Sequence, residues 1–73
     1  MKISLTPHAK QRLSSRKIKI SEIKIALQNK TTSVPAKKKG RHKICGNTNG
    51  KLLWVVYELR KASSILIITS YWA

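Results

Sequence analysis

One imidazole and two guanidiniums recur at every fourth position near the start of the chain: His8, Arg12 and Arg16. On an α-helix each step of four turns a side chain by only ~40°, so the three line one face. Such a row can grip a phosphodiester, because the guanidinium fork matches phosphate oxygens bidentately. It also offers a general base in His8 and a cation for transition-state charge in Arg12. The plainer alternative is a solvated basic helix face with an incidental histidine, and geometry alone leaves both standing.

A second set runs Lys37, Lys38, Lys39, Gly40, Arg41, His42, Lys43. Its lysines and Arg41 could contact phosphates, with His42 as a second proton-transfer group. A solvated charge run has the same composition, as do nuclear-localisation and membrane-surface patches. Trp54, Tyr57, Tyr71 and Trp72 read first as core or interface residues. Tyr71 and Trp72 could instead stack on the bases of RNA.

Metal ligation has little to build on. His42 and Cys45 are close in sequence, but no paired Cys or His spacing accompanies them. The two acids, Glu22 and Glu58, are too few for a two-metal nuclease. No metal or cofactor is therefore expected. A protein that cuts nucleic acid without metal points to RNA, whose 2′-OH can serve as the nucleophile.

These residues need elements to hold them. Thr6 is a good N-cap, and Pro7 suits the first helical position, so a helix is expected from Pro7 to about Arg16. Ala9 and Leu13 form its apolar stripe. A second helix is expected from Glu22 to about Asn29, with Ser21 as N-cap and Ile23, Ala26 and Leu27 at i, i+3, i+4 spacing. Lys2–Leu5 reads as a short strand or an arm, and Thr31–Pro35 as an edge strand or a loop. Strands are expected at Arg41–Gly46, Lys51–Leu59 and Ser64–Trp72, with a strong turn signal at Asn47–Gly50. The expected fold is α+β: two N-terminal helices packed on a three- or four-stranded antiparallel sheet. Both faces of the last two strands are largely apolar. Two helices cover one face; the other needs a partner chain (a second copy or another protein), must curl on itself, or lies under loop 30–40.

Length and charge narrow the partner. Seventy-three residues make one small domain, residues 1–73, with no room for a second core. Such a chain can hardly enclose the deep pocket of a small-molecule enzyme. Sixteen basic residues against two acids leave a net charge of +14, so the partner is polyanionic. Residues 1–43 hold 13 basic residues and one acid, placing most of that charge in the first half. One cysteine excludes an internal disulfide framework and favours a reducing cytoplasm. No signal peptide or membrane span is legible, so no membrane partner is expected.

The run Thr6-Pro7-His8-Ala9-Lys10-Gln11-Arg12-Leu13-Ser14-Ser15-Arg16-Lys17-Ile18 resembles a T-x-H-A-x-x-R-x-x-x-R-x-I opening. Leu53–Tyr57 and Ile65–Tyr71 complete the pattern. The chain is similar to a bacterial family of small domains related to RelE- and BrnT-type toxins. The resemblance implies a ribonuclease toxin of a type II toxin–antitoxin pair, acting on RNA, free or on the ribosome. An acidic antitoxin would be encoded beside it and could be the partner chain on the apolar sheet face. By motif position it carries over His8, Arg12 and Arg16 as catalytic candidates; His42 joins them from its chemistry. Lys37, Lys38, Lys39, Arg41, Lys43 and Tyr71 are the expected RNA contacts. A non-catalytic basic RNA- or DNA-binding module is the alternative.

Overall fold

The elements follow one another as β1 (Lys2–Leu5), α1 (Pro7–Ser15), α2 (Ile20–Gln28), β2 (Lys30–Pro35), β3 (Arg41–Thr48), β4 (Lys51–Leu59) and β5 (Ser64–Trp72). They belong to a computed structural model that describes residues 2–35, 40–61 and 63–73. The strands form one sheet in the order β1-β5-β4-β3-β2. The architecture is α+β, but the sheet corrects the expectation of three or four antiparallel strands: it has five and is mixed.

Two segments account for the difference. Lys2–Leu5 pairs in parallel with Ser64–Ile67, and Ile3 and Leu5 pack against the core. Parallel partners need a long connection between them, and everything from α1 to β4 provides it. Lys30–Pro35 pairs with β3 as an antiparallel edge strand, where a proline lacking its N–H is tolerated. Residues 30–35 thus widen the sheet and do not fold over it.

Local chemistry sets the helix ends. Thr6 Oγ1 accepts the Ala9 N–H at 3.0 Å, as an N-cap should. The chain turns at Lys17, which has a positive φ of 55°, and buries Ile18. Helix α2 then starts at Ile20, two residues earlier than the sequence suggests. Glu22 is the reason: its Oε1 accepts the Lys19 backbone N–H at 2.8 Å, so Lys19 and not Ser21 is the N-cap. Behind α2, a Cβ at Gly46 would overlap the carbonyl of Ala26. Only glycine permits that approach of helix to sheet.

The hairpin turn has positive φ at both Asn49 (53°) and Gly50 (86°). This is the two-residue turn that matches strand twist, and it pairs Thr48 with Lys51. Between β4 and β5 the register slips: Val56 faces Thr69, but Tyr57 faces Ile67. Ile68 is the extra residue of a β-bulge, and the alternation of β5 flips there. Ile65, Ile67, Ser70 and Trp72 therefore share the helix side with Leu53, Val55 and Tyr57. Leu66, Thr69 and Tyr71 join Trp54 and Val56 on the other side. The core lies between helices and sheet, around Ile23, Ile44, Leu53, Val55 and Ile67. Among the described residues no helix covers the second face.

Candidate nucleic-acid interface

Helix α1 presents His8 and Arg12 to solvent. Arg12 Nε donates to His8 Nε2 at 3.3 Å. That bond needs an unprotonated Nε2, which is also the atom a general base would use. At this length and exposure it is easily exchanged for another acceptor.

Arg16 departs from the row. Strand β1 ends at Leu5, opposite Ile67, so β5 beyond that point has a free edge. Arg16 closes it. Its Nη1 donates to the Ser70 carbonyl at 2.8 Å and to Thr69 Oγ1 at 3.4 Å. Its own carbonyl accepts the Trp72 indole N–H at 3.2 Å. The guanidinium carbon lies 5.9 Å from the centre of the Tyr71 ring. Arg16 thus reaches from the helix side around the strand edge to the open face.

The open face gathers several expected contacts. Trp54 and Tyr71 are cross-strand partners, their rings stacked at 6.5 Å and 26°. Lys43 Nζ stands 4.8 Å from the Trp54 ring and 5.6 Å from that of Tyr71. Arg41 sits further along the same face and pairs with Glu58 at 3.7 Å; Arg60 reaches the same carboxylate at 3.5 Å. So Arg16, Arg41, Lys43 and Tyr71 come together, and Lys37, Lys38 and Lys39 lie outside the described residues. Trp54 is the member that the sequence reads only as a core or interface residue, not as an RNA contact. Counting outward from the Asn49–Gly50 turn pairs Cys45 with Trp54 and Lys43 with Val56. That count, readable from the sequence, would have placed Trp54 beside Lys43.

His42 does not share a face with Arg41 and Lys43, because neighbours on a strand alternate. It lies on the helix side, stacked on Tyr57 at 5.4 Å and 23°. Tyr57 pairs with Ile67, whose carbonyl accepts the Thr6 N–H at 3.4 Å. His42 is therefore at the level where α1 begins, two strand spacings or ~10 Å across from Ile67. Among the described residues no hydrogen bond joins His42 to His8, Arg12 or Arg16.

Both carboxylates are committed, Glu22 to the start of α2 and Glu58 to two arginines. Among the described residues, no three His, Cys, Asp or Glu side chains converge on a common point. Among the described residues no helix is long and apolar enough to cross a membrane. Two open clefts are lined by Lys51, Leu52, Trp72 and Ala73, and by Ile3, Lys24, Leu27 and Gln28. Neither includes His8, Arg12 or His42. The chemistry on offer is therefore that of a surface: an imidazole–guanidinium pair, and a cation-flanked aromatic pair on an open sheet.

The fold has a counterpart among solved structures. The crystal structure of the Brucella abortus ribonuclease toxin BrnT superposes with a TM-score of 0.75 at 18% identity, covering 100% of this chain and 96% of that one. At that identity the likeness shows the fold. Among curated proteins no sequence match is found. A family model described as a domain of unknown function, DUF4258, matches residues 5–72. Spanning nearly the whole chain, that match shows that the protein belongs to the DUF4258 family.

Proposed function

We propose that this protein is the toxin of a toxin–antitoxin pair and an endoribonuclease that needs no metal. The observation that carries this is the exposed His8–Arg12 pair, set on a +14 chain that shares its fold with a ribonuclease toxin. In the reaction, Arg12 exchanges His8 for a phosphate oxygen, which frees Nε2. His8 takes the 2′-OH proton, the 2′-oxygen attacks the adjacent phosphorus, and the bond to the 5′-oxygen breaks. Arg12 stabilises the charge on the pentavalent phosphorane. The departing 5′-oxygen needs a proton, and His42, the other of two histidines, is the candidate donor. The products are a 2′,3′-cyclic phosphate and a 5′-hydroxyl.

The carboxylates support metal independence: each of the two already serves a structural partner. Lys37, Lys38, Lys39, Arg41 and Lys43 supply the phosphate grip. An acidic antitoxin encoded beside the toxin would silence it in the cytoplasm by covering this basic surface.

The test incubates purified protein with RNA in EDTA, with and without ribosomes, and maps the new ends. Cyclic phosphate and 5′-hydroxyl ends are expected. Binding with intact RNA in both settings would overturn the enzyme and leave a basic RNA-binding module.

A further inference from the structure

We propose that the open sheet face is a stacking site for the bases of single-stranded RNA, with Trp54 and Tyr71 as its platform. The proposal rests on the RNA-directed function above and adds a substrate class and two residues to it. Three observations carry it.

The first is placement. Trp54 and Tyr71 sit side by side on the face that no helix covers, and both are partly exposed. Aromatic rings on the open face of a helix-backed sheet are how some RNA-binding domains receive splayed bases.

The second is charge. Lys43 stands over both rings and Arg16 over one. The nearby acid, Glu58, is shared between Arg41 and Arg60, so no carboxylate balances Lys43 among the described residues. Rings flanked by uncompensated cations suit a ligand that is aromatic and anionic at once. A second copy of this +14 chain would bring like charge against like.

The third is continuity. Arg16 links the flank of α1, which bears His8 and Arg12, to Tyr71 around the free edge of β5. A single strand can follow that path: its phosphates pass the α1 cations and its bases fall on the rings. Lys43 then leaves the rings for a phosphate. Arg16 acts as a positioning residue that holds the Tyr71 segment in place. Paired bases hide their faces, so a duplex gains only the phosphate contacts.

The test uses a 2′-O-methyl oligoribonucleotide, which lacks the attacking hydroxyl and stays intact. Binding is thus read even if the cleavage assay fails, so the two ideas fail separately. Trp54→Ala should weaken single-strand binding about tenfold and leave binding of the matching duplex unchanged. Trp54→Phe should retain most of the affinity. Should Trp54→Ala not fold, Trp54→Leu keeps apolar volume without the ring and must show the same loss. Saturating oligonucleotide should also quench Trp54 fluorescence, read in a Trp72→Phe variant. Unchanged single-strand binding in Trp54→Leu and Tyr71→Leu would overturn the proposal, as would equal losses for single strand and duplex. So would absent quenching. Loss of binding to the acidic antitoxin with single-strand binding intact would assign the face to a protein partner instead.

Discussion

The two faces of the sheet are built from alternate residues of the same strands, yet they have different character. On the helix side Leu53, Val55 and Ile67 are fully buried, and Gly46 lets Ala26 come into contact with the backbone. On the open side their neighbours Trp54, Lys43 and Tyr71 meet through rings and cations and stay partly exposed. Burial dictates the first set, since a lost methylene or an added one is felt directly in a close-packed core. The second set is nearly free of that constraint. A small domain can thus hold its shape with one face and vary its chemistry on the other.

The sharpest way to break this contrast is at Gly46. Gly46→Ala places a methyl group against the Ala26 carbonyl, and α2 must lift from the sheet. A loss of about 3 kcal/mol is expected in urea unfolding, while Lys43→Ala, three residues away on the open face, should change stability by less than about 1 kcal/mol. Similar losses for both would mean that the open face is also part of the core.

His8→Ala asks whether the helix flank carries the chemistry. The side chain is exposed and, among the described residues, bonds only to Arg12, so the melting temperature should hold. Cleavage should fall at least about 100-fold, the usual worth of a positioned general base. Full activity in a folded variant would remove His8 from the mechanism, whatever the fate of the enzyme itself.

Much of this contrast was legible in the sequence, and where it was not the cause is physical. The N-cap at Thr6, the helix at Pro7, the turn at Asn49–Gly50 and the two long strands follow from local preferences. Lys2–Leu5 was ambiguous because its pairing partner, Ser64–Ile67, lies some sixty residues away. Local patterns carry no record of a parallel partner. Regular alternation would put Tyr71 on the face of Ile65 and Ile67, and the bulge at Ile68 reverses it, since one extra residue reverses every side chain after it. Arg16 read as a third member of a phosphate-gripping row. Its bond to Ser70 spans 54 positions and depends on β1 stopping short.

Arg16 joins the two faces, so its variants should affect both. Arg16→Ala removes a charge-assisted bond to the Ser70 carbonyl and frees the edge of β5, at a cost of about 2 kcal/mol. Arg16→Lys should fall between wild type and alanine, because an ammonium lacks the planar fork. Single-strand affinity should drop in step with stability across the pair. A lysine variant with full affinity and lowered stability would confine Arg16 to the fold.

The smallest effect is expected at Glu58, and it tests the open face from the opposite sign. Its carboxylate pairs with Arg41 and Arg60 at 3.7 and 3.5 Å, with the side chain 29% exposed. Exposed pairs of this kind contribute at most about 1 kcal/mol, so Glu58→Gln should leave unfolding nearly unchanged. It does remove a negative charge from a surface proposed to meet phosphates, and it releases Arg41. Affinity for single-stranded RNA should rise a few-fold. If the freed arginine takes up one phosphate, the slope of log K against log salt should steepen by about 0.7. Weaker binding would give Glu58 the opposite role, that of holding Arg41 in its working position. No change in affinity or slope would put the RNA path on the α1 flank alone, and the two faces would then differ in packing but not in function.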